Sequence, residues 1–426
     1  MRRASCAGPL ALLVLFGSPA GAQFTAGQGV PPHAFTRVEA VATAIMQSTR
    51  HTIARVDVAS ASAQLSTVKQ FENPTMSTMY SVSAPRAHVT LDVPMDWPGI
   101  RHARIAAARA QFAAATVRLE LADVLLAFAT DTAYTRAQTL DAQARLLAVT
   151  SREADSLLAL VRIRRDAGDA SNLDVEIAAV AAGQFVNRAV SALASATAAI
   201  LRLQLLMSVS PDSVRVVLAD TIAFAVMGAS ALTSGQADSP VVSLAVSTTG
   251  TTLPVAVAAL DLRAAEALVQ LEHRRRIGAP SIALGVEAIN PGGPGGLLPL
   301  VGVSIALPLF NRNRAAIARA ESERQRGRAL LLQAGLEQQA DLQLAQSDAR
   351  AARTRADNSL RLLTSAERIG ALSLLAYREG ATTLVSVLEA QRSARDARVQ
   401  LLDDLASAQI AERLKQLLLL RIPPLS

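Results

Sequence analysis

Apolar and alanine positions recur every three or four residues over two very long stretches of the chain, Ile100 to Arg165 and Arg314 to Tyr377. This spacing places the apolar side chains on one face of a helix. Neither stretch contains proline, and glycine is rare in both. At about 1.5 Å per residue, each helix would extend on the order of 95 Å. The pattern therefore predicts two helices longer than any single globular domain requires.

A glycine in a polar turn ends each long helical pattern, and a second apolar-periodic stretch follows it. The turns are residues 168–171 and 380–383, and the stretches after them run to about Met207 and Leu420. Glycine suits the C-terminal position of a helix, while Ser171 and Thr383 suit the N-cap of the next helix. We therefore expect two long antiparallel helical hairpins.

Two shorter regions, at about 73–95 and 281–309, contain β-branched and alternating apolar residues. Each consists of two strand-like runs separated by turn residues, a composition typical of a β-hairpin. A helical pattern precedes each region, from about Phe35 to Val68 and from about Pro240 to Arg276. Each β-hairpin is thus predicted to lie between a shorter helix and a long helical hairpin.

The same order of elements occurs twice, at an offset of 212 residues that keeps both turn glycines and both cap residues in register. Such self-similarity indicates a tandem duplication. The predicted organisation is a first repeat over 23–210, an irregular equatorial linker over 211–239 and a second repeat over 240–426.

Composition narrows the class of protein. Hydrophobic residues make up 51% of the chain and aromatic residues only 3%. The chain is therefore too apolar for intrinsic disorder, and its core must consist mainly of alanine and leucine in closely packed helices. The single cysteine, Cys6, excludes a disulfide scaffold and a cysteine-based zinc module.

Charge and motifs point away from nucleic acid and from enzymes. The 42 basic residues against 35 acidic ones are almost all arginines, scattered along helical stretches without interleaved aromatic residues. The five histidines lack metal-ligand spacing, and no nucleophile elbow or phosphate-binding loop is found. We expect no catalytic residue, no metal site and no cofactor.

The N-terminus has the features of a secretory signal peptide over residues 1–22. Arg2 and Arg3 precede an apolar run, and the small residues Ala20-Gly21-Ala22 predict cleavage after Ala22. Because Cys6 lies inside the removed segment, no lipid anchor is expected. No later segment has 18 consecutive apolar residues, so the exported chain is either soluble or part of an outer-membrane β-barrel.

Several motifs in order resemble the TolC family of outer-membrane efflux channels. They are Asn73-Pro74, residues 93–99 and 307–313 at the two strand-to-helix junctions, the paired glycine turns, and residues 377–391. The resemblance implies a mainly α fold with a small β part: tandem-duplicated long α-helical hairpins plus two β-hairpins. Three chains would form a 12-stranded outer-membrane β-barrel on an α-helical periplasmic tunnel.

The resemblance also implies a function. Members of this family passively conduct substrates that an inner-membrane pump and a periplasmic adaptor deliver, so the chain would be a homotrimer in the outer membrane of a Gram-negative-type bacterium. The junction at residues 307–313 looks most like that of the heavy-metal branch, whose pumps are of the resistance-nodulation-division type; drugs are the other cargo considered. A periplasmic coiled-coil adaptor or structural protein is the alternative, which the duplication with two strand pairs disfavours.

The resemblance assigns roles to particular residues. The periplasmic aperture would contain Asp174, Tyr377, Thr382, Ser386 and Glu389, where Thr382 replaces a basic residue of the family and Ser386 an acidic one. The hairpin tips that contact the adaptor would be Gly168, Asp169, Ala170, Ser171, Gly380, Ala381, Thr382 and Thr383. The strand-to-helix junctions would be marked by Pro94, Trp97, Pro98, Pro308 and Phe310, with Trp97 either at the membrane boundary or packed between strand and helix.

Overall fold

A computed structural model describes residues 32–83, 87–95, 98–212, 214–220, 250–276, 278–288, 296–305, 308 and 310–422. The predicted signal peptide, Trp97, the glycine-rich segment 290–295 and residues 221–249 lie outside this described part. The helices are α1 (Arg37–Gln47), α2 (Thr49–Lys69), α3 (Pro98–Asp166), α4 (Asn172–Met207), α5 (Leu253–Arg274), α6 (Arg314–Arg378) and α7 (Leu384–Leu418). The strands are β1 (Pro32–Phe35), β2 (Thr75–Tyr80), β3 (Ala87–Pro94), β4 (Arg215–Leu218), β5 (Thr251–Thr252), β6 (Ser281–Ala288), β7 (Leu297–Ser304) and β8 (Arg421–Ile422).

Two long helical hairpins dominate the molecule, as the apolar periodicity predicts. Helix α3 has 69 residues and packs along α4, and α6 has 65 residues and packs along α7. Helix α2 packs on α3, and α5 packs on both α3 and α6. The mainly α fold with two β-hairpins is thus confirmed for the single chain.

The two helical hairpins end at corresponding residues. Helix α3 ends at Asp166 and α6 at Arg378, and the following helices begin at Asn172 and Leu384. Both pairs differ by the 212 residues that relate the two sequence repeats. The turns therefore have the same length, and the repeats share their boundaries at this end of the molecule.

The first helical segment differs from its sequence interpretation. One helix was expected from about Phe35 to Val68, but the chain breaks at Ser48, which is extended and separates α1 from α2. The Ser48 hydroxyl accepts from the Arg50 amide at 3.3 Å and so caps α2. The expectation of one helix is therefore wrong. The sequence did not predict the break because it contains neither proline nor glycine.

Part of the segment predicted as an irregular linker is a strand. Strand β4 pairs in parallel with β1, whose residues lie more than 180 positions earlier in the chain. Buried Tyr134 of α3 supports this pair: its hydroxyl donates to the Phe35 carbonyl at 2.9 Å and lies 3.0 Å from the Asp220 carboxylate. Burial is the main cause that raises the pKa of Tyr134, so the hydroxyl stays protonated. The middle of the molecule is therefore fixed by long-range pairing.

Polar side chains join the two helical hairpins across the middle of the molecule. Gln143 of α3 donates from Nε2 to the Asp403 carboxylate of α7 at 2.6 Å. Buried Asp131 of α3 lies 3.5 Å from Arg37 and 4.0 Å from Arg413 of α7. Because Arg413 is taken from water, its pKa is lowered, while Asp131 is the principal group opposing that shift. The hairpins are held side by side by contacts between residues distant in sequence.

The four longer strands form one antiparallel sheet in the order β2-β3-β6-β7. The sheet joins the two β-hairpins through β3 and β6, where Ala87–Pro94 pairs in full register with Ser281–Ala288. A Cβ atom on Gly285 would lie 2.5 Å from the Val89 carbonyl oxygen, so glycine allows this close pairing. Strands β2 and β7 are the edges and have no further partner among the described residues.

The two faces of this sheet differ in chemistry. One face presents rows of apolar side chains, such as the row of Met76, Leu91, Leu284 and Val301, all of them exposed. The opposite face carries most of the polar side chains of the sheet, together with Met79, Leu298 and Leu300. It includes Ser77 bonded to Thr90 at 2.6 Å, Ser281 bonded to Ser304 at 2.8 Å, and the charged residues Asp92 and Glu287.

Helix α4 is the one described helix that could cross a membrane by length and composition, and only 28% of its most apolar window is buried. One such helix is weak evidence for a membrane span. It packs along α3, and apolar side chains remain exposed on it: Val180, Val186, Val190, Leu193 and Leu205. The helical hairpin therefore leaves an apolar surface uncovered.

Candidate aperture at the tips of the helical hairpins

The turns at the two tips have the same backbone structure. Gly168 and Gly380 have φ values of +86° and +74°, the left-handed region that glycine adopts without strain. The Asp169 amide donates to the Arg164 carbonyl at 2.8 Å, and the Ala381 amide donates to the Ala376 carbonyl at 2.8 Å. Both helices thus end in a Schellman motif.

The helices that follow are capped in related but unequal ways. At the first tip, the Asp174 carboxylate accepts from the Ser171 amide at 3.0 Å and from its hydroxyl at 2.8 Å. At the second tip, the Thr383 hydroxyl accepts from the Ser386 amide at 3.4 Å, and no carboxylate takes part. The hydrogen bonds from Ser171 lower the pKa of Asp174, so the first cap contains a carboxylate where the second contains only hydroxyl groups.

Tyr377 is the residue where the two tips meet. It is buried and packs in a cluster with Val161 and Val175 of the first hairpin and Val387 of the second. Arg164 of α3 places its guanidinium 4.7 Å from the Tyr377 ring centroid and donates to the Tyr377 carbonyl at 2.9 Å. A cation from the first hairpin therefore holds the end of the second.

A second arginine makes the reverse contact further along the hairpins. Arg395 of α7 is 3% exposed, and its guanidinium lies 4.4 Å from the ring centroid of Phe185 in α4. Burial lowers the pKa of Arg395, and the carboxylate of Asp396, 3.1 Å away, opposes that shift. The two hairpins thus exchange arginine–aromatic contacts in both directions.

The strand-to-helix junctions lie at the opposite end of the long helices. The amide that follows Pro94 donates to the Pro280 carbonyl at 2.8 Å, and Pro98 is the first residue of α3. Pro308 is partly buried, whereas Phe310 is fully exposed. Asn313 precedes α6 with a left-handed backbone.

The model of the family described as outer membrane efflux protein matches residues 50–208. Residues 50–208 are an outer membrane efflux protein domain. The match confirms the resemblance to outer-membrane efflux proteins over these residues. A comparison with curated protein sequences gives no match.

Solved structures share the fold of this efflux-protein domain and of the repeat after it. VceC of Vibrio cholerae is 16% identical with a TM-score of 0.71, over 90% of this chain and 95% of that chain. The CmeC outer membrane channel of Campylobacter jejuni is 13% identical with a TM-score of 0.74, over 90% and 85%. The open state of the MtrE outer membrane channel of Neisseria gonorrhoeae is 16% identical with a TM-score of 0.66, over 90% and 88%. At these identities the likeness establishes the fold.

The structure brings some of the predicted aperture residues together and leaves others apart. Asp174 lies in the efflux-protein domain and bonds to Ser171; no hydrogen bond joins it to Tyr377 in the described part of the chain. Ser386 and Glu389 are exposed on α7, and Thr382 is partly exposed in the turn. Within one chain, Tyr377 is the predicted residue that links the hairpins.

Arg164 is the residue that sequence reasoning missed. With Thr382 in place of a basic residue of the family, the resemblance left the closing network without that residue, but Arg164 supplies a cation to Tyr377 from α3. Arg164 lies in the last turn of α3, which corresponds to the last turn of α6 in the second repeat. This correspondence was the available signal that Arg164 lies near Tyr377. Among the residues that the structure describes, no group of three His, Cys, Asp or Glu side chains could hold a metal ion.

Proposed function

We propose that the protein is a trimeric outer-membrane channel that passively conducts substrates of a tripartite efflux pump. The observation that carries this proposal is the four-stranded sheet with one apolar and one polar face, joined directly to two long helical hairpins. An apolar face suits lipid and a polar face suits a water-filled lumen. The helices then continue the channel on the periplasmic side.

Closure of the sheet is the reason for proposing three copies. The unpaired backbone groups of β2 and β7 are too costly to leave open in lipid. Pairing β7 of one chain with β2 of the next gives twelve strands, an even number within the range of outer-membrane barrels. The exposed apolar side chains of α4 supply a matching helical interface below the membrane.

The tips form the periplasmic aperture in this proposal. Tyr377 and Arg164 hold the two hairpins of one chain together, and Asp174, Thr382, Ser386 and Glu389 would complete the aperture. Three copies of Glu389 would form a ring that favours cations. The turns at residues 168–171 and 380–383 are the proposed contacts for a periplasmic adaptor.

The remaining assignments follow from the same proposal. The chain would be exported by a signal peptide cleaved after Ala22 and reside in the outer membrane of a Gram-negative-type bacterium. A resistance-nodulation-division pump is the proposed inner-membrane partner. Heavy-metal cations are the preferred cargo, with drugs as the other candidate.

The first experiment measures the mass and shape of the protein extracted from outer membranes, by light scattering and negative-stain imaging. A trimer with a hollow body on the order of 100 Å or longer is expected from the helix lengths. A monomer recovered from the periplasmic fraction would contradict the proposal.

Two neighbouring positions in β7 test the assignment of the faces. Val301 lies on the apolar face and Leu300 on the polar face. Val301→Lys should cost about 2–4 kcal/mol in lipid and prevent outer-membrane assembly, whereas Leu300→Lys places its charge in the lumen and should be tolerated. Equal assembly of the two variants would refute the proposed orientation.

A further inference from the structure

Basic side chains concentrate where the strands meet the long helices. Residues 69–72, 101–104, 272–276 and 310–314 contain eight arginine or lysine residues and two glutamates. The chain as a whole has 42 basic and 35 acidic residues, so a general bias toward arginine does not account for the excess. We call these four segments the junction belt.

A polar cleft lies inside the junction belt, but its charges are already balanced. The cleft has a volume of about 470 Å³, and its lining includes Arg104, Arg275, Glu72 and Glu272. Arg104 lies 3.2 Å from the Glu72 carboxylate, and Arg275 lies 2.9 Å from that of Glu272. The surplus positive charge therefore belongs to the other arginines of the belt.

Arg276, Arg312 and Arg314 carry much of that surplus. All three are exposed, and no ion pair joins them to another of the described residues. Arg314 is the first residue of α6, where the helix dipole disfavours a positive charge, and the first turn contains no acidic residue. Helix stability alone does not explain an arginine at this position.

Exposed aromatic rings accompany these charges. Phe310 is fully exposed two residues before Arg312. Phe71, 72% exposed, precedes β2 and lies under the Arg101 guanidinium at 4.6 Å. Outer-membrane barrels have girdles of aromatic residues at the membrane boundary, where basic side chains attract anionic headgroups.

We infer that the junction belt binds the phosphate groups of anionic phospholipids in the periplasmic leaflet. This inference rests on the proposed function, because the belt reaches lipid only if the sheet crosses the outer membrane. The apolar face of the sheet would contact the acyl chains, and the arginines would bind the headgroups at its helical edge. The belt would thereby fix the depth of the channel in the membrane.

The test uses the full-length protein, purified in neutral detergent and incubated with phosphatidylglycerol or phosphatidylethanolamine of identical acyl chains. Native mass spectrometry counts the lipids retained by each trimer. Wild-type protein should retain more phosphatidylglycerol, and R276Q/R312Q/R314Q should lose affinity by about fivefold per arginine removed. The matched control R152Q/R353Q/R368Q removes three exposed arginines from the middle and lower parts of the long helices and should leave retention unchanged.

Equal retention of both lipids, or an equal loss of retention in the two triple variants, would overturn the inference. So would a third outcome, in which inorganic phosphate displaces phosphatidylglycerol while chloride at the same ionic strength displaces none. The last would assign the belt to free phosphate. Trimer mass and conductance, measured on the same preparations, keep the two proposals distinguishable. A conducting trimer without lipid preference refutes this inference alone, whereas a chain that never reaches the outer membrane refutes the proposed function.

Discussion

Replacing Arg164 tests whether the contact with Tyr377 holds the helical tips together. Arg164→Gln removes a cation lying 4.7 Å from the ring centroid and a charged donor 2.9 Å from the backbone carbonyl of Tyr377. A cation–π contact at a partly exposed site is worth about 0.5–1 kcal/mol, and a hydrogen bond from a charged group about 1.5–3 kcal/mol. Because glutamine can retain a neutral hydrogen bond, we expect a net loss of about 1–2 kcal/mol per chain, or roughly 5- to 30-fold in the closed-to-open equilibrium.

The assay is single-channel recording in planar bilayers, with open probability as the readout. Arg165→Gln is the matched control, because Arg165 is the next residue, bears the same charge and bonds to Asp166 rather than to Tyr377. The Tyr377→Phe channel should stay nearly closed. Arg164 contacts the ring face and the backbone carbonyl of Tyr377, and phenylalanine retains both. If R164Q and R165Q open equally, or if Y377F opens as much as R164Q, the contact does not hold the tips.

Three further predictions concern the caps, the pore and the sheet. Because hydrogen bonds lower the pKa of Asp174, its contribution to stability is present above the ordinary carboxyl pKa of about 4 and is lost as pH falls through the lowered value. Hydrogen exchange at the first tip should therefore rise as the pH falls through that window. The D174N variant should not show this pH dependence. Glu389→Gln should reduce cation selectivity in reversal-potential measurements, and unchanged selectivity would exclude a carboxylate ring. Gly285→Val should prevent assembly because its Cβ would lie 2.5 Å from a neighbouring carbonyl oxygen. Gly335→Ala has open space around it and should stabilise its helix by up to about 1 kcal/mol. Melting temperatures of the two variants that equal each other would contradict both predictions.

Local signals account for what the sequence predicted well. The helix ends at the tips follow from Gly168 and Gly380, because a Schellman turn depends on a few consecutive residues. The predicted N-cap at Ser171 is also confirmed, and Asp174 completes a capping box with it at the usual spacing. The resemblance instead assigned Asp174 to the closure of the aperture, a role that remains a proposal.

Contacts between distant residues account for what the sequence did not predict. Arg164 and Tyr377 are 213 residues apart, and no periodicity along either helix indicates that they touch. The same applies to β1 and β4, whose short parallel pairing joins segments separated in the chain by α1 to α4. The break at Ser48 was missed for a different reason, since its cap is a common serine without a neighbouring proline or glycine.

The matching positions of the two hairpin tips limit how this protein can change in evolution. Each inserted heptad lengthens a helix by about 10 Å, so an insertion in one hairpin alone would leave its tip below the other and separate Arg164 from Tyr377. To keep both tips level, four helices must gain residues together, at matching points about 212 residues apart. We therefore expect related chains to differ in helix length by coordinated insertions and deletions in both repeats.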